Sequence, residues 1–203
     1  MKIGLTFLAR FISLIFHPAV LQGIFLLAPW WNTLTLYRFF PSLLLGAVVF
    51  PLAISGIYLQ QIGIKNWFVV SRENRLIPFL ITITCLILLA GFWWQDIPAL
   101  SGRIIWVVFI NISAVLITLK EKISLHILGL ISATGMLMEL NPLFGGIGLI
   151  LLIPIAFSRY YLKSHSIKQL IYGGIIGLIW VTLYYLFRDF LPFIHKPYFY
   201  PTI

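Results

Sequence analysis

Three stretches of this 203-residue chain carry side chains of the kind that handle phosphate. The first runs from Lys65 to Pro78 and holds Lys65, Arg72 and Arg75, the two arginines one helical turn apart. The second, Lys122-Ile123-Ser124-Leu125-His126, opens a helix. The third begins at Ser158-Arg159, passes through His165 and reaches Gln169 at the head of the last apolar run. Guanidinium forks grip phosphate oxygens two at a time. One imidazole can attack phosphorus while a second protonates the departing alkoxide. Each residue alone has a plainer reading. Arginines at span ends anchor topology, Ser124 stands where a helix N-cap belongs, and lone histidines such as His17 and His195 read as interfacial. Their joint occurrence in chain order is what points to phosphoryl chemistry.

The elements that must position these residues follow from composition. The chain is 61% hydrophobic and 9% charged, with a mean hydropathy of +1.04. Soluble domains run at about 45–50% apolar and about 25% charged, so lipid is part of this protein's solvent. At roughly 20 residues per crossing, residues 1–203 form a single integral membrane domain with six or seven transmembrane helices. The apolar runs are continuous rather than alternating, which favours an all-α polytopic bundle over a barrel. They cover about 5–31 (broken near His17-Pro18), 40–59, 76–94, 104–119, 124–138, 143–157 and 170–187. The fifth and sixth are under-length and are expected to be tilted or shielded by neighbours, split by the polar turn Glu139-Leu140-Asn141-Pro142. Trp30, Trp31, Trp93, Trp94 and Trp106 fall near span ends, as aromatic belts do. Pro41, Pro51, Pro78 and Pro154 predict kinks. The first run reads as a retained helix rather than a signal peptide. Cys85 is the single cysteine, so there is no disulfide framework.

The formal charge of +9 is scattered between apolar runs. That pattern speaks for anionic headgroups or an anionic substrate rather than nucleic acid. With seven crossings, the chain's N-terminal side gathers Lys65, Arg72, Arg75, Lys122, Ser124, His126, Arg159 and His165. Ionisable groups converging at one membrane depth mark a functional site. Ten Lys and Arg fall on that side (2, 10, 65, 72, 75, 120, 122, 159, 163, 168) against four elsewhere (38, 103, 188, 196). Charge counting therefore puts this face in the cytoplasm.

At these residues the chain resembles the type 2 phosphatidic acid phosphatase (PAP2) superfamily of membrane lipid phosphatases. Ser158-Arg159, five residues, His165, three residues and Gln169, with Gly173 beyond, match the spacing of the family's third motif. Ser124 and His126 match the second motif without its proline and glycine. Lys65 and Arg72 match the first motif in spacing, with Glu73 where the family has proline; Arg75 with Pro78 offers a second register. The resemblance covers roughly residues 60–180, within a PAP2-like core of about 60–187. It implies that His165 is the nucleophile, forming a phosphohistidine, and that His126 is the general acid. It implies that Lys65, Arg72, Arg75, Ser124 and Arg159 hold phosphate oxygens, with Gln169 orienting His165 where the family has an acid. It further implies a metal-independent reaction without cofactor, a lipid phosphate as substrate, and a site on the outer face. That last implication opposes the charge count, and both orientations stand. The expected setting is a bacterial cytoplasmic membrane.

Two other functions compete with a phosphatase. Gln169, Leu125 and Glu73 depart from the family pattern and suggest a non-catalytic phospholipid-binding or scaffolding protein. A small-solute transporter has less support, because the spans lack inward acidic residues and Asn111 is the only strongly polar residue deep in a middle span.

Overall fold

The computed structural model describes residues 2–28, 40–42, 44–64, 71 and 73–190, and among these every regular element is helical. Helices α1 (Lys2–Ile15) and α2 (Pro18–Leu27) make one broken span. A π-helical turn, Leu44–Val49, leads into α3 (Phe50–Gln61). Then follow α4 (Leu76–Trp93), α5 (Pro98–Thr118), α6 (Leu125–Leu137), α7 (Leu143–Tyr161) and α8 (Ile167–Phe187). Six helical stretches are long and apolar enough to cross a membrane, and α6 is a shorter apolar seventh helix. The chain is an all-α bundle of membrane-spanning helices.

Proline chemistry sets two of the irregularities. Pro18 lacks an N–H and pushes the residue before it out of helical conformation. His17 is accordingly extended (φ −60°, ψ 141°) and serves as the N-cap of α2. Pro51 would clash with the carbonyl four residues back, at Ala47. The wider π-helical turn that contains Ala47 accommodates it.

The short helix α6 sits among α2, α7 and α8 and packs most closely on α8. At about 20 Å it cannot bridge a hydrocarbon core of about 30 Å, but its neighbours shield it on nearly every side. Ile127, Leu128, Leu130, Ala133, Met136 and Leu137 are all buried. Helix α5 is the most enclosed long span, with 61% of its apolar window inside the protein against 24% or less for the others. It pairs with α4. The remaining helices turn Phe7, Leu88, Phe92, Leu149, Ile150 and Ile153 outward, which is how a bundle dissolves in lipid.

Three boundaries differ from the hydropathy reading, two because polar residues face inward and the third because of a helix cap. Helix α5 starts at Pro98 rather than near 104, since Ser101 and Arg103 are buried and partnered: Ser101 donates to the carbonyl of Ala90 (2.9 Å) and Arg103 pairs with Glu139. Helix α7 continues to Tyr161, so it is a full-length span rather than a short one; Ser158 and Arg159 are buried in its last turn. Helix α8 starts at Ile167, where Ser166 and Gln169 close a capping box.

Polar groups collect at both ends of the bundle. At one end Glu139 holds Arg103 and accepts from the Tyr184 hydroxyl (2.7 Å), with Arg188 at 4.0 Å. At the other, the connections before α4, α6 and α8 meet. The Ser124 amide donates to the carbonyl of Gln169 (3.1 Å), Arg75 donates to the carbonyl of Ile123 (3.4 Å), and Lys168 pairs with Glu121 (3.4 Å).

Candidate functional site

The turn between α7 and α8 fixes the first two groups. Lys163 adopts left-handed geometry (φ 53°), which ends α7 and folds the chain back. The amides of Ser164 and His165 then donate to the carbonyl of Arg159 (3.0 and 3.3 Å). Gln169, in the first turn of α8, uses its Oε1 twice. It accepts from the Ser166 amide (3.2 Å) and from Nδ1 of His165 (3.3 Å). A carbonyl oxygen only accepts, so Nδ1 carries the proton and Nε2 keeps its lone pair. Burial, and after it Arg75, Arg159 and Lys122, push the His165 imidazolium down to about 2, against which the Gln169 bond acts weakly. His165 is a neutral imidazole.

The N-terminal helix holds the next two groups. Nη1 of Arg159 donates to Oγ of Ser13 (3.0 Å), which lies 2.6 Å from Oγ of Ser158. Ser158 gives its proton to the carbonyl of Ala9 (2.7 Å). Ser13 must therefore donate to Ser158, and the order of donors along the chain is fixed. The carbonyl of Ser13 meets Nε2 of His126 at 3.0 Å. That bond places a proton on Nε2 and leaves Nδ1 for other work.

The remaining groups come from the starts of α4 and α6. Arg75 is buried, and burial lowers its guanidinium to about 10, so it stays charged at neutral pH. Ser124 occupies the N-cap position of α6, yet its side chain makes no capping bond; the hydroxyl is fully buried and has no partner among the described residues. Lys122 lies within electrostatic reach of both arginines. Burial, then Arg75 and Arg159, lower its ammonium to about 8.

Gly173 lets these pieces meet. A Cβ built there would stand 2.5 Å from the carbonyl oxygen of Ser124. Only glycine lets α8 approach the backbone that carries Ser124 and His126.

A cavity of about 180 Å³ opens on the cluster. His17, Arg75, His126, Arg159 and His165 line it, and Pro51, Leu52, Leu59, Pro78 and Phe79 form much of its apolar wall. Six of the eight residues that the sequence places on one face (Arg75, Lys122, Ser124, His126, Arg159, His165), from three separate stretches, come together at one end of the bundle, as does Gln169. Ser124 lies behind the cavity rather than on its wall. Lys65 and Arg72 lie outside the described residues.

The chain gives no match to any family model, to any curated protein or to any solved structure. Its chemistry has to be read from the cluster.

That cluster includes two residues that the sequence reading missed. Ser13 ties together Arg159 and His126. His17, read as an interfacial residue, lines the cavity with its ring edge-on to that of His126 (centroids 5.8 Å apart). Nδ1 of His17 accepts from the Ala19 amide (3.3 Å), so a neutral His17 carries its proton on Nε2 and is a hydrogen-bond donor. Ser13 lies in the last turn of α1 and His17 in the break before α2, so helical periodicity does not connect them, and both lie upstream of the stretch with the family resemblance. Together the cavity offers two guanidinium groups, a neutral imidazole with its lone pair free, a second imidazole oriented by a carbonyl, and a third that donates. Such a set is suited to an anionic group, and it places a nitrogen lone pair beside groups that can donate hydrogen bonds.

Proposed function

We propose that the chain is a PAP2-type membrane phosphatase, hydrolysing a phosphomonoester or diphosphate of an isoprenoid or glycerolipid in a bacterial cytoplasmic membrane. The observation that carries this is His165: buried, neutral, its Nδ1 proton committed to Gln169, and facing the same cavity as Arg75 and Arg159.

The reaction follows from these groups. Arg75 and Arg159 hold the non-bridging oxygens, and His17 donates to one of them. Stabilising charge on the transferring phosphoryl is the main catalytic task. Nε2 of His165 forms a bond to phosphorus as the bond to the ester oxygen breaks. Bound phosphate favours the protonated form of His126, and its Nδ1–H passes to the leaving oxygen. Water then attacks the phosphohistidine, His126 takes a proton from it, the N–P bond breaks, and inorganic phosphate departs. Gln169 orients His165 without adding negative charge, which makes the imidazole a weaker nucleophile than one backed by a carboxylate. The apolar wall receives the first part of the lipid chain.

Purified protein in detergent is expected to release inorganic phosphate from a lipid phosphate. His165→Ala should lower that rate by at least about 10³-fold. Phosphate-analogue binding without turnover across prenyl and glycerolipid phosphates would instead favour the non-catalytic phospholipid-binding reading that Gln169, Leu125 and Glu73 motivate.

A further inference from the structure

One polar pair lies in the cavity with no role in the chemistry above. Gln22 on α2 and Asn111 on α5 both line it, with the hydroxyls of Ser55 and Thr82 the other polar side chains away from the basic cluster. Their orientation is determined. Nδ2 of Asn111 donates to the carbonyl of Val107 (2.8 Å), so its Oδ1 is the atom that faces Gln22. Nε2 of Gln22 donates to that oxygen (3.3 Å). What remains is Oε1 of Gln22, a buried acceptor with no partner among the described residues. Leaving such an oxygen against hydrocarbon is costly. The Thr82 hydroxyl, on the same cavity, does not help, since it is engaged with the carbonyl of Pro78 (2.9 Å).

Gln22 lies five residues beyond His17, about 7.5 Å further along the helix. A phosphate held by the basic cluster would bring the atoms a few bonds from phosphorus to that depth. We propose that Gln22 selects substrates whose organic part carries a hydrogen-bond donor near the phosphate, a glycerol-type phosphomonoester with a free hydroxyl, over a plain prenyl or alkyl phosphate. The proposal rests on the phosphatase reading and narrows its substrate class. Asn111 acts by holding the Gln22 carboxamide in place. A site built to pair a substrate hydroxyl discriminates against an analogue that lacks it far more sharply than an apolar pocket distinguishes chain lengths.

The test compares a monoalkyl glycerol 3-phosphate with its 2-deoxy analogue of equal chain length, using the full chain in detergent. The unmodified protein should show kcat/KM higher for the hydroxyl substrate by about tenfold or more. In Gln22→Met the ratio should fall toward one, chiefly through loss on the hydroxyl substrate. Phosphate release from both substrates at equal kcat/KM overturns the selection by Gln22 while leaving the phosphatase reading intact. A ratio unchanged in Gln22→Met overturns it too, by moving the selection elsewhere. No release from either substrate overturns the phosphatase reading and this inference with it. Should Gln22→Met fail to fold, Asn111→Leu, which releases the Gln22 carboxamide, should also lower the ratio toward one, and an unchanged ratio there overturns the proposal.

Discussion

Lys122 shows how a residue off the cavity wall can govern what happens inside it. Its ammonium, lowered to about 8 by burial and by Arg75 and Arg159, is charged below that pH and neutral above it. On the proposed phosphatase reading the charged form adds to the attraction for phosphate, so substrate capture should weaken as pH rises through about 8. The kcat/KM profile should show a basic limb there, a fall of about tenfold or less. The substrate's own second ionisation lies near pH 6 and is separate. Lys122→Arg should move the limb upward out of the measured range. An unchanged limb in that variant would remove Lys122 from the site's electrostatics. His165 adds no acid limb in this range, because it is neutral throughout.

At the scale of elements, the site depends on how closely α8 approaches the start of α6. Gly173 meets the carbonyl of Ser124, a backbone atom that cannot swing aside. Gly173→Ala should cost about 1–3 kcal/mol of stability and reduce kcat/KM by displacing His126 from His165. Gly174→Ala provides the control. Its Cβ would meet the tip of Ile131 at 3.5 Å and a methyl of Ile127 at 3.8 Å, ordinary contacts, so stability and rate should hold. Detergent thermal unfolding with phosphate-release kinetics separates the two; equal behaviour would show that this helix approach does not set the site. Gly173 was visible in the sequence as part of a spacing, but its purpose was not. The reason is a backbone contact between residues about fifty positions apart, which no local pattern encodes.

For the whole molecule, hydropathy read the spans because lipid rewards continuous apolar runs. It erred where polar side chains turn inward. Arg103 hid the start of α5, and Ser158 with Arg159 hid the end of α7. Glu139, isolated in the sequence, pairs with Arg103 from another helix at the far end of the bundle. The convergence of Arg75, His126, Arg159 and His165 was legible from counting crossings, since loops on one side of a membrane share a depth. The part played by α1 was not. Ser13 and His17 gain their meaning only when α1 packs on α7 and α2 on α6. The central claim is that His165 becomes covalently phosphorylated during turnover. The direct measurement is to quench the protein rapidly with alkali in the presence of a lipid phosphate, then locate phosphate by mass spectrometry. The account predicts an acid-labile phosphoryl group on His165, absent from His165→Ala and accumulating in His126→Ala when a good leaving group replaces the alcohol. Steady phosphate release with no phosphorylated His165 at any quench time would contradict it.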